Sequence, residues 1–184
     1  MTTQALIIID LQNDFCRKIS GGNDIVKPIN QLINFAKINN WLIVASRDWH
    51  SLELFSDDPS KSHCLKNTNG ANFHQDLNTN YISTIISKGE NDISQKHYSA
   101  FNGDQISLLK LLKENKISSV YLVGLATDYC VKNTAIDSVK NGFKTFVISD
   151  ACRPARPDSE NITLKEMASL GIKKINSSEL LNNQ

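Results

Sequence analysis

Short apolar runs alternate with amphipathic stretches along this chain. ALIIID (5–10) is apolar until it stops at Asp10, and WLIVASRD (41–48) repeats the pattern, stopping at Asp48. Between them, VKPINQLINFAKINN (26–40) carries apolar residues at helical spacing, with Pro28 in a first turn, where a missing N–H is tolerated. The same reading predicts a strand over 81–89 ending at Lys88-Gly89, a helix over 104–116 and a strand over 117–126. It then predicts a helix over 127–142 closed by Gly142, a strand over 143–151, a helix over 159–171 and a short strand over 172–176. Strands apolar on both faces that alternate with helices predict an α/β fold, an open parallel sheet flanked by helices on both faces. No repeat or linker is visible, so residues 1–184 read as a single domain. The one long irregular segment is 49–80, rich in Ser, Asp, Asn, Pro and Gly, and a loop of that length in a compact domain calls for a function.

Composition narrows the function classes. With 40% hydrophobic and 21% charged residues and a net charge of +1, the chain has the make-up of a soluble protein and no electrostatic footprint for nucleic acid or an acidic membrane. No apolar run approaches the roughly 20 residues of a membrane span. The start, MTTQALIIIDLQNDF, reads as a first strand rather than a signal peptide, so a cytoplasmic location is expected. Cys16, Cys64, Cys130 and Cys152 are widely spaced without a CxxC pair, which argues against a disulfide framework or a four-cysteine zinc cluster.

Open parallel sheets place ligands beyond the carboxyl ends of their strands, and Asp10, Asp48, Lys88 and the segment before Cys130 all fall at such ends. A thiolate is the reactive form of cysteine, and a helix N-terminus or a nearby cation lowers its pKa. Cys130 sits in the first turn of its predicted helix, Lys88 could supply the cation, and Asp10 could take and return a proton. The competing reading is that Cys130 packs as a small buried residue. A second cluster is Asp48-Trp49-His50 with His63, and with Glu53 as a further oxygen donor. Asp48 and His50 project to one side of an extended segment, and the set suits zinc, iron(II) or manganese. A solvated loop holding two histidines is the alternative. His74 and His97 carry no local signal of ligation.

The motifs DLQNDFC (10–16), RDWH (47–50), HC (63–64), KG (88–89), YSAF (98–101) and VGLATDYCVKNTAIDS (123–138) stand in an order that resembles the nicotinamidase/pyrazinamidase members of the isochorismatase-like cysteine hydrolases. The resemblance implies a Rossmann-like three-layer fold and a catalytic triad of Asp10, Lys88 and Cys130. It also implies a cis peptide at Leu125-Ala126 and an oxyanion site built from the amides of Ala126 and Cys130. By the same resemblance, Asp48, His50 and His63 hold one divalent metal ion, Zn2+ first and Fe2+ or Mn2+ as alternatives. That ion binds the ring nitrogen of nicotinamide, with Phe15, Tyr98 and Leu125 around the ring. The implied reaction converts nicotinamide to nicotinate and ammonia through a thioester, with pyrazinamide as a further substrate, in a chain that could form homo-oligomers.

The chain departs from the pattern in one respect that matters. Many relatives carry a second histidine shortly after DWH, whereas SLELFS (51–56) has none, leaving Glu53 as a replacement ligand or Leu54 in that place with water completing the shell. Lys96, close to YSAF, rivals Lys88, which is preferred because it ends an apolar strand before glycine. Ureidoacrylate-type or carbamoylsarcosine-type amidases, and a binding protein that has lost catalysis, are the competing functions.

Overall fold

In a computed structural model, which describes residues 3–91 and 95–182, six parallel strands form one sheet in the order β3-β2-β1-β4-β5-β6. They are β1 (Gln4–Ile9), β2 (Leu42–Asp48), β3 (Thr84–Lys88), β4 (Ser119–Leu125), β5 (Lys144–Arg153) and β6 (Lys173–Ile175). The apolar run of β1 makes it the central strand: Ile7 faces Val44 of β2 on one side and Leu122 of β4 on the other. Alternation along β1 splits its side chains between two cores. Ala5, Ile7 and Ile9 pack with α3 (Leu108–Glu114), α4 (Lys132–Lys140) and α5 (Glu160–Ser169). Leu6 and Ile8 pack on the other face with α1 (Asn13–Lys18), α2 (Val26–Ile38) and α6 (Ser178–Leu181). Helices on both faces explain why the strands read as unbroken apolar runs rather than alternating ones. Among the described residues, no helix is long and apolar enough to cross a membrane.

The elements match the sequence reading in kind and order and differ at their ends. The helix expected over 104–116 is confined to α3, which begins where the Ser107 hydroxyl accepts the Lys110 N–H. The helix expected over 127–142 is divided into a π turn (Thr127–Val131) followed by α4. The short helices α1 and α6 were not predicted, because one to two turns give too short a window for periodicity to show. The long segment after β2 contains single 3-10 turns at Leu52–Phe55, Pro59–Lys61 and Thr79–Tyr81 and isolated bridges from His50 to Leu65 and from Phe73 to Gln12.

The chain proceeds from β1 outward through β2 to β3, then returns to the opposite side of β1 with β4. The segments leaving β1 and β4 therefore diverge, which opens a crevice between neighbouring strand ends at this switch point. Asp10 follows β1 and Cys130 follows β4, so the topology brings them to one place. Gly124 permits the close pairing of these strands. Its φ is +117°, and a β-carbon there would run into the backbone of Ile9. Gly124→Ala is expected to lower stability by about 1–3 kcal/mol or more through backbone displacement, measured as a lower urea midpoint than wild type with an unchanged denaturant slope.

Candidate active site and metal cluster

Lys88 is wholly buried at the end of β3, and no bulkier side chain is so fully enclosed among the described residues. Its Nζ lies 2.8 Å from Asp10 Oδ2 and contacts Asp48 Oδ1, so one ammonium sits between two buried carboxylates. The same Nζ is 3.7 Å from Cys130 Sγ. Asp10, with φ +47°, turns out of β1 immediately after Ile9, and its Oδ1 accepts the Ser46 hydroxyl at 2.7 Å. Gln12 fixes the neighbouring strand end: its Oε1 accepts the Asp48 N–H at 2.8 Å, while its Nε2 donates to the carbonyls of Asp48 and Ala71.

These surroundings set the protonation states. Burial pushes the Asp10 carboxyl up, and the Lys88 charge opposes without reversing it. Burial also works against the Asp48 charge, but Lys88 and His50 together hold that group well below the usual carboxylate range. Lys88 is disfavoured as a cation by burial, yet Asp10 and Asp48 keep its pKa well above that of free lysine. For Cys130 the sequence expectation is reversed. Burial pushes the thiol well up, Lys88 opposes, and the two carboxylates reinforce the rise. The thiol is therefore held toward its protonated form, and forming a thiolate here would take a base rather than a helix terminus alone. Asp10, with its raised pKa and its oxygen on the lysine that touches the sulfur, is suited to that task.

The second cluster adjoins the first through Asp48. The ligand atoms of Asp48, His50 and His63 all lie within 4.8 Å of one another. His50 Nδ1 donates to the Gly89 carbonyl at 2.6 Å and His63 Nδ1 to the Lys61 carbonyl at 2.9 Å. Each ring thereby presents Nε2 to Asp48 Oδ2, at 3.5 Å for His50 and 3.9 Å for His63. The buried His50 Nε2 has no hydrogen-bond partner. Backbone-anchored imidazoles whose remaining nitrogens converge beside a carboxylate are the donor arrangement of a divalent-metal site. A divalent cation would also offset the excess negative charge of two carboxylates around one lysine.

The remaining predicted residues separate into those the structure gathers and those it does not. Phe15 and Tyr98 line a cavity of about 610 Å³ together with Asp48, His63, Ala126 and Cys130. The Leu125-Ala126 peptide is cis, and the Ala126 carbonyl accepts the N–H groups of Tyr129 and Val131, both at 3.1 Å. Leu125 itself is fully buried in the α2-side core, so Ala126 and not Leu125 reaches the cavity. Glu53 is exposed on the Leu52–Phe55 turn and stands outside the metal cluster, while the adjacent Leu54 and Phe55 line the cavity. A 3-10 turn spaces successive side chains about 120° apart, so turning Leu54 and Phe55 inward leaves Glu53 facing away. The Lys96 side chain lies outside the described residues.

Several contributors escaped the sequence reading. Ser46 and the Asp48–Lys88 contact depend on strand register, which a single sequence does not display. His97 is buried, lines the cavity and stacks edge-on against His50 with centroids 5.4 Å apart. Its place directly before YSAF was the available signal.

Comparison with known proteins agrees with this fold. An isochorismatase domain model matches residues 4–179. The Escherichia coli nicotinamidase is 32% identical, with 93% of each chain covered. Pyrazinamidase of Pyrococcus horikoshii, solved in complex with zinc, superposes with a TM-score of 0.84 at 36% identity, covering 95% of this chain and 99% of that one. PnC1 from L. infantum, solved in complex with nicotinate, superposes at 0.85 with 30% identity, covering 96% and 94%.

Removing the Lys88 charge strands two buried carboxylates. In metal-free protein at pH 7, Lys88→Met is expected to cost about 3–5 kcal/mol in urea unfolding. On acidification the stranded carboxylates of the variant take up protons and the penalty is relieved. Wild-type Asp48, whose folded pKa is depressed, begins to lose its contribution only below its unfolded value of about 4. The gap between wild type and variant should therefore narrow on acidification, and a gap that stays constant from pH 7 to pH 3 contradicts the ion-pair account. For the second cluster, His50→Ala should lose bound divalent metal by elemental analysis while Glu53→Ala retains it.

Proposed function

The chain belongs to the isochorismatase family, and we propose that it is a nicotinamidase, a single-domain cysteine amidohydrolase that converts nicotinamide to nicotinate and ammonia and also accepts pyrazinamide. The observation that carries this reading is the placement of one buried lysine against Asp10, Cys130 and the metal-cluster residue Asp48 at once. Support also comes from the proteins it resembles, among them a nicotinamidase, a zinc-bound pyrazinamidase and a nicotinate complex.

The chemistry follows from the protonation states. Asp10 accepts the Cys130 proton, and the sulfur attacks the carboxamide carbon as Lys88 balances the charge. The oxyanion lies against the N–H groups of Ala126 and Cys130. Its collapse breaks the C–N bond, and Asp10 returns the proton to the departing ammonia. Asp10 then takes a proton from water, which attacks the thioester carbonyl, and the sulfur leaves as the Cys130 thiol once that proton is passed back. The nicotinic acid formed gives its own proton to the released ammonia and departs as nicotinate. Asp48, His50 and His63 would hold the divalent ion, with Zn2+ favoured by the two imidazoles and one carboxylate. When bound, that ion supplies a Lewis-acidic anchor for the pyridine nitrogen. Phe15 and Tyr98 enclose the ring and exclude water. We place the protein in the cytoplasm, in the salvage of pyridine nucleotides.

Purified, metal-loaded protein should release ammonia from nicotinamide, and Cys130→Ala and Asp10→Ala should each reduce kcat by at least about 10³-fold. Coupled ammonia assays on nicotinamide, carbamoylsarcosine and ureidoacrylate side by side provide the check. Turnover of either rival amide without nicotinamide would remove the assignment.

A further inference from the structure

Asp128 lies two residues before Cys130, within the Thr127–Val131 turn, and nothing in the reaction so far uses it. Its side chain is only 3% exposed. Oδ1 accepts the Ala155 N–H at 2.8 Å, and Oδ2 accepts the Arg156 N–H at 3.2 Å and the Ser159 hydroxyl at 2.7 Å. The Arg156 guanidinium adds an ion pair, with Nε 3.8 Å from Oδ2. Every one of these partners belongs to the connection between β5 and α5. That connection supplies Ala155 to the wall of the cavity holding Cys130.

A carboxylate that accepts two successive backbone N–H groups is held in orientation as well as in place, because both oxygens are engaged. The turn it sits on is otherwise anchored by the Tyr129 and Val131 N–H groups at the Ala126 carbonyl. The Cys130 sulfur must stay near Lys88, 3.7 Å away, for its proton to pass to Asp10. We propose that Asp128 is a positioning residue that clamps the 154–159 connection onto the nucleophile turn, so that the cavity wall at Ala155 and the sulfur of Cys130 keep one fixed separation. Its effect on chemistry runs through Cys130 and Ala155, and it makes no contact with the reacting atoms. Asparagine at this position keeps one acceptor and loses the other, so it releases one side of the clamp. Alanine releases the whole.

The proposal rests on the amidase reading only for its kinetic arm, and a second readout is independent of substrate. In metal-loaded full-length protein, Asp128→Ala should lower kcat for nicotinamide by about 10–100-fold, with metal content unchanged and Asp128→Asn falling in between. The rate of iodoacetamide labelling at the Cys130 peptide, followed by mass spectrometry, should fall in the same order, because a displaced sulfur loses Lys88 and Asp10. Wild-type kcat within twofold in Asp128→Ala, or labelling that is unchanged or faster, overturns the proposal. If Asp128→Ala does not fold, Asp128→Asn decides on the same two readouts. If wild-type protein does not hydrolyse nicotinamide, the amidase reading fails while the labelling series still tests the clamp.

Discussion

One buried ammonium organises this molecule. Lys88 sits between Asp10 and Asp48 with its stem sealed in the interior. A lysine so enclosed is stable as a cation only because two carboxylates face it, and each carboxylate is tolerated in the interior because the lysine faces it. Neither carboxylate can be moved without stranding a charge, so the ends of β1, β2 and β3 are held in one register. The same contact joins the two halves of the site. Asp10 leads to the thiol, and Asp48 leads to the histidines.

The two carboxylates share a lysine and diverge in behaviour. Asp48 gains a second stabilising neighbour in His50 and is held toward the ionised form that holding a metal ion would require. Asp10 lacks that support and is pushed toward the protonated form, as suits a group that accepts and returns a proton. Environment divides the roles between chemically identical side chains. The high resting pKa of Cys130 fits the same logic: burial and the two nearby carboxylates keep the thiol toward its neutral form, so the proposed reaction needs a base beside it.

Much of this was legible before any coordinates. Asp10 and Lys88 could be placed because each ends an apolar run, and the carboxyl ends of parallel strands are where ligands collect. His50 and His63 could be paired with Asp48 through the spacing of RDWH and HC, and the structure gathers their ligand atoms. Glu53 stands apart from Asp48, His50 and His63, with Leu54 turned to the cavity in its place, because rotation on a 3-10 turn decides which side chain faces inward and composition does not record rotation. Leu125 is wholly enclosed at the end of β4, and its neighbour Ala126 lines the cavity, a difference of one position that local sequence does not display.

The sequence by itself determined the α/β architecture, the order of the strands along the chain and the residue types at their ends, because these depend on local hydrophobic periodicity and on motifs that are contiguous. Only the tertiary structure decided the lateral order of the strands, and with it which polar ends become neighbours. It alone revealed the Lys88 contact with Asp48, the Ser46 hydroxyl on Asp10 and the raised pKa of Cys130. The physical reason is that charge interactions and desolvation depend on distance through space. Residues 36 to 42 positions apart acquire that distance only when the strands that carry them pair in the sheet.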